Sequence, residues 1–309
     1  MDLCSPSEVK RLLESRSLSP RKALGQNFLI NPSVPLMIAE RSYEAARVAS
    51  GDAPLGVIEI GPGVGALTAR LADYYDRVVA VEIDRGLADL FTETFADHEN
   101  VELVCEDFMK LDFPQLISES FSDILAAGGS VSVCANLPYY ITSPVIMKIL
   151  DSFPPCGRVP LASITVMIQT EVANRLCAAA GSSDYGAITA AVALKACVRK
   201  YFTVSPGSFY PPPKVTSSVI GIVPHGGIRE IFDGCPPGDP ECESFFRSVT
   251  EVISASFAQR RKTLVNALSS VYGKEKIRSA LSALCFREDV RGEKLSAADF
   301  CKLTAELTQ

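Results

Sequence analysis

Between residues 56 and 224, short apolar runs alternate with segments of helical periodicity. GVIEI (56–60), VVAVEI (78–83), VELVCE (101–106), SVSVCAN (130–136), LASITVMIQ (161–169) and SSVIGIVP (217–224) read as strands. Residues 66–75 and 85–96 read as helices, as do EVANRLCAAA (171–180) and YGAITAAVALKACV (185–198). Ser143 is expected to cap a further helix that Pro144 opens and that ends at Leu150, because serine suits the cap and proline the first turn. Near-continuous β-branched strands spaced by helices predict an α/β domain with a mainly parallel sheet covered on both faces.

Two helical segments precede the sheet. Ser5 or Ser7 is expected to cap the first, and Asn31 and Pro32 start the second, which runs toward Ala49. After residue 224 the pattern changes. HGGIREIFDGCPPGDPE (225–241) is rich in Gly, Pro and acid and reads as a loop or linker. Phe245, Phe246, Val249, Val252, Ile253 and Phe257 then recur at helical spacing, and helices follow at 261–271, 274–285 and 296–307. The expected division is residues 1–225, the α/β domain with its helical N-terminal extension, and residues 226–309, a small all-helical domain. No internal repeat is visible.

Composition narrows the class. The 309 residues are 47% hydrophobic, enough for a sizeable core and too apolar for a disordered chain. No apolar run reaches the roughly 18–20 residues of a membrane span, and the polar start MDLCSPSEVKR does not read as a secretory signal. The ten cysteines are scattered without a CxxC pair, and the chain has only two histidines, so no metal site is expected. Buried free thiols in a reducing cytoplasm are the expectation. Net charge is −6; residues 226–309 carry 12 basic and 12 acidic side chains, and the first 225 carry 18 and 24. A nucleic-acid surface on this chain must therefore be a local patch.

EIGPGVGALT (59–68) joins a strand to a helix. Gly61, Gly63 and Gly65 allow a tight turn and close approach to a ligand, and ligands of such sheets bind beyond the carboxyl ends of the strands. The loop also fits the dinucleotide fingerprint, and a purely structural turn is an alternative. Glu82, ending the second strand, can accept two ribose hydroxyls. Asp107, ending the third, can accept an adenine amino hydrogen with Phe108 packed on the ring; a solvated loop acid is the alternative. Together the three strand ends build one adenosine pocket. Glu59, an acid beside the glycines, suits a cationic ligand such as a sulfonium better than a pyrophosphate, which favours S-adenosylmethionine over NAD.

CANLPYY (134–140) places Asn136 at the end of the fourth strand, at the same sheet edge. Its side-chain oxygen and the Leu137 carbonyl can each accept a hydrogen bond. Pro138 fixes the turn, and Tyr139 offers a face for stacking. Two acceptors and a ring are what an exocyclic amine on a base requires: they favour a tetrahedral nitrogen whose lone pair points at a methyl donor, with no strong base needed. An asparagine capping a turn, with tyrosines in ordinary packing, is the alternative.

RKALGQNFLIN (21–31), EIGPGVGALT, VEID (81–84), EDF (106–108), NLPYYITSP (136–144), SFYPPPKVTSSV (208–219) and FAQRRKTLVNAL (257–268) resemble the small-subunit ribosomal RNA adenine N6,N6-dimethyltransferases. The resemblance runs in order from about residue 20 to residue 270. It implies a Rossmann-like S-adenosylmethionine-dependent methyltransferase fold and dimethylation of two adjacent adenines near the small-subunit RNA 3′ end. It also implies Gln26, Asn27 and Leu29 closing over S-adenosylmethionine, with Gly61, Gly63, Glu82, Asp107 and Asn136 completing that site. Asn136, Leu137, Pro138 and Tyr139 would hold the target adenine, and Phe209 would stack on its other side, core packing being the alternative for Phe209. Arg21, Lys22, Lys214, Arg260, Arg261 and Lys262 would meet RNA phosphates; a solvated basic face is the alternative for the 260–262 cluster. The partner expected is the small-subunit RNA in a pre-ribosomal particle, and a cytoplasmic monomer with no membrane association is expected. Rival readings are a large-subunit RNA adenine methyltransferase of the macrolide-resistance type, a non-catalytic ribosome-assembly factor on the same fold, and an NAD-dependent enzyme.

Overall fold

The structure is a computed structural model that describes residues 2–155, 160–236, 238–259 and 261–308. By density of contacts the chain forms two compact units. One comprises Met1–Ser152, Pro160–Ala173 and Arg199–Val223; the other comprises Phe153–Val159, Asn174–Val198 and Pro224–Gln309.

The strands are β1 (Phe28–Leu29), β2 (Leu55–Ile60), β3 (Arg77–Val81), β4 (Val101–Val104), β5 (Ser130–Asn136), β6 (Leu161–Gln169), β7 (Ala196–Val204), β8 (Phe209–Tyr210) and β9 (Ser217–Pro224), which lie in the first unit except for the first three residues of β7 and the last of β9. Seven of them form a sheet in the order β4-β3-β2-β5-β6-β9-β7, and β1 pairs with β8 separately. From β4 to β6 all neighbours are parallel, whereas β9 runs antiparallel to β6. The apolar runs produce this arrangement. Every residue of β2 is buried, and β5 is buried up to Asn136, as strands covered on both faces must be.

Helices α1 (Pro6–Ser15), α2 (Ser33–Ser50), α3 (Thr68–Tyr74), α4 (Arg85–Thr94), α5 (Phe113–Ser120), α6 (Ser122–Ala126) and α7 (Thr142–Asp151) belong to this unit. α2 lays Ile38, Ala39 and Ala46, all fully buried, onto the sheet. Each fully buried aliphatic side chain of isoleucine size contributes about 1.5–3 kcal/mol. The Asp84 carboxylate caps α4 by accepting from the Gly86 N–H (3.1 Å), and Asp112 caps α5 by accepting from the Gln115 N–H (3.0 Å). Ser5 stands at the cap position of α1, with its hydroxyl 2.9 Å from that of Ser7.

Three local expectations are corrected. Ser143 does not cap α7, whose cap residue is Ile141; the Thr142 hydroxyl instead donates to the Pro138 carbonyl (3.3 Å). Residues 185–198 are not one helix. α9 (Ala187–Ala193), which follows α8 (Thr170–Leu176), stops before Leu194, and Ala196 already begins β7. The free cysteines are not uniformly buried: Cys105, Cys197 and Cys285 are exposed, and Cys242 is disulfide-bonded.

The second unit packs α9 with α10 (Ile228–Ile231), α11 (Asp239–Phe257), α12 (Leu264–Tyr272), α13 (Lys274–Ala283) and α14 (Ala297–Thr308). Val249, Ile253, Leu268, Leu281 and Phe300 form the centre of its core, joined by Ala190 and Leu194 from the earlier segment. The 225–241 segment, expected as a loop or linker, is partly folded, because Ile228 of α10 is fully buried. Among the described residues, no helix is long and apolar enough to cross a membrane.

Candidate active site

A cavity of about 260 Å3 lies at the carboxyl ends of the parallel strands, inside the first unit. Five chain segments and Leu87 of α4 line it: 24–29 before α2, 59–67 at the end of β2, 81–83 at the end of β3, 106–109 after β4, and 136–141 after β5.

The glycine loop is shaped by left-handed backbone. Gly61, Gly63 and Gly65 have φ of 71°, 60° and 89°, a region that side-chain-bearing residues avoid. Their surroundings differ. A Cβ on Gly65 would sit 2.2 Å from a Phe95 ring carbon, whereas one on Gly61 would meet no atom within 4 Å. Gly65 therefore serves packing, and Gly61 leaves open space beside the backbone.

Two carboxylates are buried beside this loop. Glu82, 4% exposed, accepts from the Asp84 N–H (2.9 Å) and the Gly63 N–H (3.3 Å). Burial pushes its carboxyl up, and those backbone donors offset part of the rise. Glu59, 1% exposed, accepts from the Thr68 hydroxyl (2.6 Å). Burial pushes it up to about 8, the Thr68 hydroxyl opposing and the Glu82 charge adding to the rise. No ion pair to either acid is present among the described residues. A cation in the cavity would supply what both lack.

Asp107 folds its own turn, its carboxylate accepting from the Met109 N–H (2.9 Å). Phe108 is buried and packs edge-on to Phe113 with ring centroids 5.6 Å apart. The turn is clamped by Lys148 of α7, whose ammonium donates to the carbonyls of Met109 (2.8 Å) and Leu111 (2.6 Å).

The 21–29 segment crosses the cavity as a strap. The Gln26 amide donates to the Asp84 carboxylate (3.1 Å), and the same carboxylate pairs with Arg21 (3.3 Å). Asp84 thus ties the strap to the turn that carries Glu82. Gly25, at φ 63°, lies close enough to Pro138 that a Cβ would stand 3.1 Å from the proline Cβ.

Asn136 meets the strap directly. Its side-chain Nδ2 donates to the Asn27 carbonyl (3.0 Å). A carbonyl only accepts, so the nitrogen end of the amide is the one turned toward Asn27, and Oδ1 remains an acceptor on a cavity-lining residue. The Leu137 N–H donates to the Met167 carbonyl (3.1 Å), and its side chain is buried. Tyr139 is half-buried, with its hydroxyl 2.8 Å from that of Ser217; burial pushes its phenol up, and the Ser217 bond lowers it in part.

The structure thus brings Gln26, Asn27, Leu29, Gly61, Gly63, Glu82, Asp107, Asn136, Leu137, Pro138 and Tyr139 around one cavity. It places Phe209 elsewhere. That ring is 2% exposed in the core, and its residue pairs with Leu29 across β1 and β8, so it stands behind the lining and not in it. Lys22, Lys214, Arg261 and Lys262 are exposed, Arg21 is exposed but paired with Asp84, and Arg260 lies outside the described residues. Sequence reasoning missed Asp84, Lys148 and Ser217. Asp84 carried a signal, an acid at the cap position of the helix begun by Arg85; the others act through partners distant in sequence.

Residues 18–309 match the family model described as ribosomal RNA adenine dimethylase. The chain is 38% identical to a ribosomal RNA small subunit methyltransferase A of Alkaliphilus oremlandii, across 99% of this chain and 98% of that one. It is 39% identical to the protein of the same name from Anoxybacillus flavithermus, across 99% and 96%. Among solved structures, a dimethyladenosine transferase from Plasmodium falciparum is similar with a TM-score of 0.65 and 26% identity, covering 89% of this chain and 95% of that one. A methyltransferase fold carrying this cavity, and relatedness over nearly the whole length, place the chain in the ribosomal RNA adenine dimethylase family.

Proposed function

We propose that this chain transfers methyl groups from S-adenosylmethionine to N6 of two adjacent adenines of small-subunit ribosomal RNA, giving N6,N6-dimethyladenine. The observation that carries this reading is the Asn136 amide, held by Asn27 so that its oxygen is left to accept.

The residues fit the cofactor. Gly61 leaves space for a ligand against the backbone, Glu82 suits a ribose, Asp107 suits an adenine amine, and buried Glu59 suits the cationic amino-acid end. Gln26, Asn27 and Leu29 cover it, and Gly63 donates the backbone N–H that keeps Glu82 in place. When bound, S-adenosylmethionine supplies a methyl group on a positively charged sulfur.

The target base must leave its stack to bring N6 to the cavity. Tyr139 receives the ring face. Asn136 Oδ1 and the Leu137 carbonyl accept the two amino hydrogens, which turns the nitrogen lone pair out of conjugation. Pro138 holds the turn that aims the Leu137 carbonyl. The proton lost after transfer goes to water. The second transfer presents one N–H only, so one acceptor suffices. Phe209 supports Leu29 from behind. We assign RNA phosphates to Arg21, Lys22, Lys214, Arg260, Arg261 and Lys262, and a helical RNA-binding role to residues 226–309. The same reading makes the protein a cytoplasmic monomer acting on a pre-ribosomal particle.

The test is methylation of purified small and large subunits that lack the modification, with the modified nucleotides mapped on both RNAs. Two adjacent dimethyladenines are expected; methyl transfer to large-subunit RNA alone would overturn the reading.

A further inference from the structure

The SFYPPPKVTSSV segment ends at the start of β9, and the base-binding reading leaves its last two serines, Ser217 and Ser218, without a role. β9 runs antiparallel to β6, with Ser217 opposite Gln169, the last residue of β6. β6 is parallel to β5, with Met167 opposite Asn136. The start of β9 is therefore delivered to the sheet edge where the parallel strands end and where Asn136 opens the NLPYY turn. Ser217 arrives there fully buried, and its hydroxyl stands 2.8 Å from that of Tyr139.

Ser218, next along the strand, points to the opposite face. It is also fully buried, but its hydroxyl meets that of Thr170 (2.9 Å). Two adjacent buried serines thus make equivalent bonds, and only one of them reaches a residue that lines the cavity.

We infer that Ser217 is a positioning residue for methyl transfer, tethering the Tyr139 hydroxyl so that the ring face is presented to the target adenine. This rests on the function proposed above. An aromatic ring anchored only at its Cβ can swing about its side-chain torsions, and a bond at the para oxygen fixes the far end. Its loss changes how often the base is held in the reactive geometry, while the cofactor contacts are untouched.

The test is a double-mutant cycle with S217A, Tyr139→Phe and the double variant, with S218A as control, all assayed on unmodified small subunits. S217A should lower kcat/KM for RNA by about three- to tenfold, the range of one intramolecular hydrogen bond. Its Kd for S-adenosylmethionine by calorimetry should stay within about twofold of wild type, since the tether touches no cofactor contact. Tyr139→Phe should show the same loss, and the double variant no more than either single. S218A should lose similar stability in urea yet keep wild-type transfer. Wild-type transfer by S217A, multiplicative losses in the double variant, or an equal loss in S218A would each overturn the inference while the methylating wild type upholds the proposed function. A wild-type chain that leaves small subunits unmethylated would overturn both.

Discussion

The side-chain nitrogen of Asn136 donates to the backbone carbonyl of Asn27, 109 residues earlier in the chain, at 3.0 Å. One bond thus closes the strap over the cavity and settles which end of the amide is left to accept. Asn136→Ala removes both functions: it should retain part of the cofactor affinity and lose transfer by on the order of 100-fold, the scale of a lost preorganised polar contact. Asn136→Asp keeps an acceptor but places a carboxylate against the Asn27 carbonyl, and it should fail as well. Single-turnover methylation with calorimetry on the same samples measures both effects; undiminished dimethylation by Asn136→Ala would sink the assignment.

Glu59 should make cofactor binding proton-linked. Its folded value of about 8 exceeds the ordinary 4.5 of a glutamate, so the folded protein holds a proton that the unfolded chain has given up between those values. The contribution of Glu59 to stability is complete below about 4.5, falls as pH rises and is lost through about 8. Chemical denaturation of the ligand-free protein should show this decline, and Glu59→Gln should flatten it. A cationic ligand lowers the carboxyl, so S-adenosylmethionine binding at pH 7 should release a proton. Calorimetry in buffers of different ionisation enthalpy reads that proton directly, and Glu59→Gln should abolish it.

The loop glycines should separate packing from ligand space. Gly65→Ala drives a methyl group into Phe95 and should cost about 1–3 kcal/mol from overpacking, with backbone strain added. Gly61→Ala meets no protein atom, so only the strain of about 1–2 kcal/mol applies, yet its methyl group fills the cavity side of the loop. Urea unfolding and cofactor titration should rank the two variants in opposite orders.

The basic cluster at 260–262 predicts a salt signature. Arg260→Ala combined with Arg261→Ala should weaken RNA binding and lower the slope of log K against log salt by about 1 per charge removed. Cofactor affinity should change little. Equal RNA affinity at matched salt would remove these arginines from the interface.

Much of the sheet was legible, because strands buried on both faces announce themselves as apolar runs; β5, β6 and β9 occupy the bounds their sequences indicate. β7 was not legible. Its burial alternates poorly between Ala196 and Val204, and its first residues continue an alanine-rich helical pattern. The cavity-lining residues at strand ends were readable because strand and turn chemistry coincide there. Phe209 was not, since an aromatic before a proline turn reads the same whether it faces a ligand or pairs with Leu29. Asp84 as the tie between strap and turn was hidden for a similar reason: a helix cap uses one carboxylate oxygen, and nothing local shows that the other reaches Gln26 and Arg21.

The cavity draws its lining from residues 24–141, yet the tether on Tyr139 comes from Ser217. A chain extended through α7 already contains every residue that lines the cavity, including Asn136, Leu137 and Tyr139. The partner that fixes Tyr139 emerges more than seventy residues later. On the role proposed for Ser217, transfer competence therefore depends on β9, which follows in sequence every residue that lines the cavity.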